Sequence, residues 1–244
     1  KIKTTLKNLK KFLRKKVDYT MSSISGIQGL KPTIEIIKFT DKIAIANKES
    51  IICAWNLIEK KLKINKTKFI PVDSEHFSIW FLIKNFEKTQ ISKIYLTASG
   101  GPFLNWSIKK ISNVAAKKAI KHPNWSMGKK ISIDSATLMN KLFEIIEAQR
   151  IFKIPKNKLD ILIHEKSYVH ALVEFDNGIK TILAHDTNMS VPISNSIFEN
   201  EKFNIKKTNL NLNLMNDLKL KKVDKKRFPV INLLKFIPNR ISLF

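Results

Sequence analysis

The segment Thr97–Arg150, TASGGPFLNWSIKKISNVAAKKAIKHPNWSMGKKISIDSATLMNKLFEIIEAQR, is where the fold can first be read. A strand-like run, Ile94 to Thr97, breaks into Ala98-Ser99-Gly100-Gly101-Pro102. Paired glycines after a strand admit positive φ and a close approach of backbone to ligand. Their N–H groups are expected to form a concavity suited to an anion. An aromatic loop, His122 to Gly128, leads into Asp134-Ser135-Ala136-Thr137. Asp134 or Ser135 is expected to cap a helix carrying Asn140, Lys141, Glu144 and Glu147. Residues 140, 141 and 144 fall within one helical turn, so an amide, an ammonium and a carboxylate face one cleft. This set suits a phosphorylated polyol held beside a metal. Spacing alone leaves a second reading open, a capped surface helix after an ordinary turn.

Upstream, Lys42 to Ala46 (KIAIA) has the β-branched character of a buried strand and ends in Asn47-Lys48-Glu49-Ser50. A helix follows to about Lys61, and another is expected over Pro32–Phe39, with Pro32 tolerated in its first turn. Gly26 and Gly29 suit close helix–strand packing. Strand, polar turn and helix are the grammar of an α/β fold, whose ligands bind at the carboxyl ends of strands. The pattern repeats at Phe69–Val72, which runs into Asp73-Ser74-Glu75-His76. If Asp73 and Glu75 are still extended, their carboxylates point to one side and suit a hard divalent cation. The competing reading is a capping cluster for the next helix. Downstream, Leu159–Ile163 is strand-like, and Tyr168–Phe175 alternates into the hairpin signal Asp176-Asn177-Gly178, with Ile179–Ala184 returning. His164, His170 and His185 are read as structural. Met189–Phe198 is a candidate helix, and from Glu199 the weak Asn/Lys-rich patterning suggests a linker before Arg227-Phe228-Pro229 opens a further segment.

The 244 residues carry 45 basic and 20 acidic side chains, a net charge of +25, with 43% hydrophobic residues. That is enough apolar content for a globular core. The charge admits two accounts. One is a nucleic-acid or anionic-membrane partner. The other is lysines solvated along the whole chain, with short dense clusters only at Lys7–Lys16 and Lys219–Arg227. The amino-terminal residues 1–16 read as a basic amphipathic helix, with Ile2, Leu6, Leu9 and Leu13 at helical spacing. One cysteine, Cys53, excludes an intramolecular disulfide and a cysteine zinc cluster, and its apolar surroundings suggest a buried thiol. No apolar stretch approaches the roughly 18 residues of a membrane span, and no signal peptide is visible. A chain that opens on Lys1 reads as part of a longer protein.

Four runs in this order resemble the 1-deoxy-D-xylulose-5-phosphate reductoisomerase family of the non-mevalonate isoprenoid pathway. They are ANKES (Ala46–Ser50), PVDSEH (Pro71–His76), SGGPF (Ser99–Phe103) and HPNWSMGKKISIDSATLMNK (His122–Lys141) with Glu144. The resemblance extends from about Gly26 to Phe236. It implies an α/β fold in which residues 1–72 are the second half of a Rossmann-like NADPH-binding domain. Residues 73–200 would be an α/β (α+β) catalytic domain with a mixed sheet, and 201–244 a linker towards a helical domain. It implies NADPH-dependent isomerisation and reduction of 1-deoxy-D-xylulose 5-phosphate to 2-C-methyl-D-erythritol 4-phosphate, with Mg²⁺ or Mn²⁺. Asp73, Glu75 and Glu144 would ligate the metal, and with Lys48 they would form the catalytic set. Lys48, Ser74 and Glu75 would meet the oxygenated carbons. Ser99, Ser135, Asn140 and Lys141 would hold the phosphate. His122 would contact substrate from a loop that Trp125 closes, and Asn47, Glu49 and Gly128 would touch NADPH. A homodimer is implied, in the bacterial cytoplasm or a plastid-type organelle, with no membrane or nucleic-acid partner.

Three features depart from the family pattern: the Gly-rich cofactor fingerprint is not in this sequence, Leu142 follows the Asn-Lys pair where glycine is usual, and the residues around Ser78 differ from the usual run after Asp-Ser-Glu-His. On this reading the chain alone is expected to turn over negligibly. The rival readings are another metal-dependent sugar-phosphate isomerase or aldolase and, further off, a basic nucleic-acid module.

Overall fold

A computed structural model gives the fold, and residues 9–199, 201–203 and 209–238 are described. In chain order the helices are α1 (Leu9–Phe12), α2 (Leu30–Ile36), α3 (Lys48–Ile64), α4 (Ser74–Ile83), α5 (Ile108–Ile111), α6 (Ala116–Ala119), α7 (Lys129–Thr137), α8 (Met139–Phe152), α9 (Ser190–Phe198) and α10 (Leu212–Asn216). The strands are β1 (Val17–Ser22), β2 (Thr40–Ile45), β3 (Lys68–Pro71), β4 (Ile91–Ala98), β5 (Leu159–Ile163), β6 (Val169–Phe175), β7 (Lys180–Ala184) and β8 (Lys221–Lys222). Of the expected amino-terminal helix, Ile2 and Leu6 lie outside the described residues. Leu9 falls in the short α1, and Leu13 lies just past it.

The chain is an α/β protein with two sheets. The first, ordered β1-β2-β3, is wholly parallel. Parallel neighbours need crossovers, and α2 and α3 supply them. Because β2 is central, Ile43, Ala44 and Ile45 are all buried, which is why the strand reads as an apolar run rather than an alternation. Ile51, Trp55, Ile58 and Leu62 bury one stripe of α3 against it. Cys53 falls off that stripe and is exposed, so the expectation of a buried thiol is corrected.

The second sheet, ordered β7-β6-β4-β5-β8, is mixed. β4 runs parallel to β5 and antiparallel to β6, which forms a hairpin with β7. α8 buries Ile145, Ala148 and Phe152 in the same core as Ile94, Leu96 and Ile161 of this sheet. The Asn/Lys-rich segment is not simply a linker. β8 adds a strand beside β5, and Phe228 and Ile231 are buried in the core. Its weak patterning reflects how little of it faces inward. The helical reading after residue 130 is also corrected. Asp134 and Ser135 lie inside α7 and cap nothing. The break falls at Leu138, a buried residue at φ 61°, ψ 13°, and α8 starts beyond it. No described helix is long and apolar enough to cross a membrane.

Candidate metal and substrate site

Every predicted site residue lines one cavity of about 700 Å³: Asn47, Lys48, Glu49, Asp73, Ser74, Glu75, Ser99, His122, Trp125, Gly128, Ser135, Asn140, Lys141 and Glu144. The carboxyl ends of β2, β3 and β4 open onto it, as the α/β grammar requires.

Glu75 is not extended, since the chain turns helical at Ser74. Asp73 keeps φ −58° and ψ 137°. It is the N-cap of α4, accepting from the Glu75 N–H at 3.2 Å, and Glu75 sits in the first helical turn. The capping reading and the cation reading are therefore both satisfied. With Glu144 from α8, one oxygen of each carboxylate lies within 4.8 Å of the others. Two ammoniums interleave with them. Lys141 Nζ stands 2.5 Å from both Glu75 and Glu144. Lys48 Nζ stands 2.7 Å from Glu147, 3.3 Å from Asp73 and 3.9 Å from Glu144. Asn140 donates to Glu144, and Ser74 to Glu75.

With all four carboxylates ionised, they and the two ammoniums would carry a net charge of two minus, which one divalent cation would balance. The three converging donors are hard oxygens, so Mg²⁺ or Mn²⁺ fits them and a soft metal does not. The titrations follow the same electrostatics. Burial and the neighbouring Glu75 push Glu144 up to about 8, against the pull of Lys141. Burial works against the charge on Asp73, but Lys48 and His76 outweigh it and hold its carboxyl well below the usual range. Burial would lower Lys48, yet Asp73, Glu147 and Glu144 keep it strongly protonated. The same balance holds for Lys141: burial would lower it, but Glu144 and Glu75 outweigh burial and raise it above the ordinary lysine range.

Just past β4, beside the cavity-lining Ser99, Gly100 and Gly101 take φ 81° and 71°. The Gly101 N–H is not free, as the nest reading expected, but donates to Ser99 Oγ at 3.0 Å. His122 Nδ1 accepts from the N–H groups of Asn124 and Trp125 at 3.1 and 3.0 Å. The neutral ring therefore carries its proton on Nε2 and donates it to Ser99 Oγ at 2.9 Å. Burial and Lys141 keep His122 neutral, its pKa pushed down to about 4. Accepting twice, the Ser99 hydroxyl has its own proton left to give a ligand.

Asn47 has its side chain committed to structure. It donates to the Ile24 and Gly26 carbonyls at 2.7 and 2.8 Å and accepts from Ser50 N at 2.6 Å as the N-cap of α3. Gly29 is bound up with it, since a Cβ there would stand 2.9 Å from the Asn47 amide nitrogen. Glu49 pairs with Lys130 at 3.6 Å, and Gly128 opens α7. Sequence reasoning missed two residues here. His170 lines the cavity, with Trp125 edge-on at 5.9 Å and His185 stacked at 3.7 Å. Burial and His185 push its pKa down to about 4. Glu147, one turn beyond Glu144, is buried against Lys48; its (i, i+3) spacing was the available signal.

An α/β frame that converges three hard carboxylates beside hydroxyl, amide and ammonium donors has the composition of a site for a divalent cation and a small anionic ligand. Residues 69–152 match the family model described as 1-deoxy-D-xylulose 5-phosphate reductoisomerase C-terminal domain, and residues 1–55 that described as 1-deoxy-D-xylulose 5-phosphate reductoisomerase. The reductoisomerase of Pelagibacter ubique (strain HTCC1062) is 61% identical over 229 residues, 94% of this chain and 59% of the relative. A crystal structure of DOX-P reductoisomerase in complex with NADPH, fosmidomycin and magnesium is 36% identical with a TM-score of 0.83, covering 90% of this chain and 56% of that one. The Zymomonas mobilis enzyme in complex with NADPH aligns at 34% identity and a TM-score of 0.81, covering 89% and 56%. The chain belongs to the 1-deoxy-D-xylulose 5-phosphate reductoisomerase family. It spans somewhat more than half the length of these relatives.

Proposed function

We propose that the protein isomerises 1-deoxy-D-xylulose 5-phosphate and reduces the product with NADPH to 2-C-methyl-D-erythritol 4-phosphate, a step of non-mevalonate isoprenoid biosynthesis. The observation that carries this reading is the convergence of Asp73, Glu75 and Glu144 in the cavity that also collects Ser99, Ser135, Asn140 and Lys141. The residues present fit a hard divalent cation by donor type and by net charge. When bound, the cation polarises the substrate's vicinal oxygens and NADPH supplies the hydride.

Asp73, Glu75 and Glu144 would hold the cation. Lys48 and Ser74, with Glu75, would meet the oxygenated carbons. Ser99 would donate its free hydroxyl proton to the phosphate, with Ser135 and Asn140 alongside. Lys141 first holds Glu75 and Glu144 together by charge, and offers its ammonium to phosphate where those carboxylates are otherwise neutralised. His122, neutral and fixed by two backbone N–H groups, steers Ser99. Trp125, seated against His170, would exclude water. Asn47, through the loop it pins, Glu49 and Gly128 would form the NADPH side.

The domain division belongs to the same proposal. Residues 1–72 would be part of the cofactor domain, 73–200 the catalytic domain, and 201–244 the passage to a further helical domain, with β8 and Phe228 already packed on the catalytic core. A homodimer and a cytoplasmic site of action complete the reading. The test is NADPH oxidation by the full-length protein given the substrate with Mn²⁺, then with EDTA. Metal-dependent oxidation is expected. Metal-dependent conversion without oxidation would favour a non-reducing sugar-phosphate isomerase, and no metal binding would exclude both.

A further inference from the structure

Behind the three converging carboxylates lies a fourth that the proposed chemistry does not use. Glu147 sits on α8 one turn beyond Glu144 and is 1% exposed. A carboxylate so buried must be paired, and leaving it unpaired is strongly destabilising. Its partner is Lys48 Nζ at 2.7 Å, from the first turn of α3. The same ammonium lies 3.3 Å from Asp73 and 3.9 Å from Glu144, so three carboxylates compete for it and Glu147 is nearest. Among the described residues, the oxygens within 4.8 Å of one another come from Asp73, Glu75 and Glu144, and Glu147 stands outside that group. Geometry thus separates the four acids into three that converge and one that stands behind them, hydrogen-bonded to the lysine at 2.7 Å. The pair also spans the molecule's two halves. Lys48 follows β2 of the parallel sheet, whereas Glu147 rides on the helix that covers the mixed sheet, and α3 packs against α8.

We infer that Glu147 is a positioning residue. It anchors the Lys48 ammonium beside the Asp73–Glu75–Glu144 group rather than across it, leaving those oxygens to a divalent cation and presenting Lys48 to the substrate. This rests on the functional reading above. Without the anchor, Lys48 has two other acids within 3.9 Å. Relaxing onto Asp73 and Glu144, it competes with the cation for the oxygens that should bind it. In the intact pair, the carboxylate that satisfies Lys48 is one the cation does not need.

The test uses the full-length protein and five forms: parent, Glu147→Gln, Glu147→Asp, Lys48→Met, and the double Lys48→Met/Glu147→Gln. Mn²⁺ binding without substrate is followed by electron paramagnetic resonance of free Mn²⁺, and kcat and KM are measured separately. Glu147→Gln should weaken Mn²⁺ binding by about tenfold and lower kcat, and Glu147→Asp should recover most of both. In the Lys48→Met background the Gln substitution should change Mn²⁺ binding by less than about twofold, because no ammonium remains to restrain. Parental Mn²⁺ affinity in Glu147→Gln, or an equal loss in the Lys48→Met background, would overturn the inference. Should Glu147→Gln fail to fold, the double variant decides, since it removes both charges together. Affinity matching Lys48→Met supports the anchor, and weaker affinity refutes it. A parent that neither binds Mn²⁺ nor oxidises NADPH would instead remove the functional reading itself.

Discussion

Glu144 is the residue on which charge, burial and ligation meet. It is 1% exposed, holds Lys141 at 2.5 Å and has its pKa pushed up to about 8 by burial and Glu75. A carboxyl whose folded pKa exceeds its unfolded value binds a proton in the native state that the unfolded chain has released. Its contribution to stability therefore falls as pH rises from about 4.5 to about 8. A cation must displace that proton, so its binding tightens across the same window. The melting temperature without metal should fall between about pH 5 and 8, and the increment from saturating Mn²⁺ should grow. An increment independent of pH would contradict the assignment. Glu144→Gln should abolish the pH trend and cost activity on the order of a hundredfold or more while the protein still folds. Mn²⁺ titration beside thermal melts separates those effects. Asp73 behaves oppositely: its depressed pKa stabilises the fold at neutral pH, and that contribution is lost only in strong acid.

At the scale of elements, the sequence was legible where local chemistry and tertiary demand agree. KIAIA reads as a strand because β2 is central in its parallel sheet and buried on both faces. FIPV reads as one from a short apolar run, although β3 lies at the sheet's edge. Each ends in the polar turn that carries the chemistry. The α7–α8 break was not legible. Leu138 takes a left-handed conformation that glycine or asparagine usually marks, and it is held there because its side chain is 2% exposed in the core. Leu138→Ala should therefore cost about 2–5 kcal/mol, measured by chemical denaturation. The burial of Cys53 was misjudged because neighbouring apolar residues do not say which stripe of a helix turns inward. The short β8 was invisible because two exposed lysines carry no alternation. Gly101 tests how the strand-end turn is joined to the helices. At φ 71°, an added Cβ would lie 2.7 Å from Ala136 Cα and 2.9 Å from Ser135 O, both backbone atoms. Gly101→Ala must shift α7 and with it Ser135. It should raise the substrate KM by about tenfold or more, with a stability loss of about 1–3 kcal/mol. An unchanged KM would show that Ser135 plays no part in binding.

For the molecule as a whole, the +25 charge is unevenly placed in a way that the total conceals. Residues 88–133 contain nine lysines and no aspartate or glutamate. Seven of those lysines, from Lys109 to Lys130, are exposed on the segment that also carries His122 and Trp125 to the cavity wall. Inside the cavity, by contrast, Asp73, Glu75 and Glu144 converge with Glu147 beside them, and Lys48 and Lys141 offset part of that charge. An approaching polyanion thus meets a positive rim before it meets the carboxylates. A rim of one sign beside a cleft raises the capture rate of oppositely charged ligands, and salt screens it over roughly 8–10 Å at physiological strength. Under the proposed function both ligands are phosphorylated, so kcat/KM should fall several-fold between about 0.05 and 0.5 M salt while kcat stays level. Lys109, Lys117 and Lys121 lie outside the cavity lining, so replacing all three with Gln should flatten that slope without altering kcat. Stopped-flow binding of NADPH offers an independent reading, because the association rate should carry the salt dependence and the dissociation rate should not. Equal slopes for parent and variant would assign these lysines to solubility alone, and capture would then depend on the buried donors of the site.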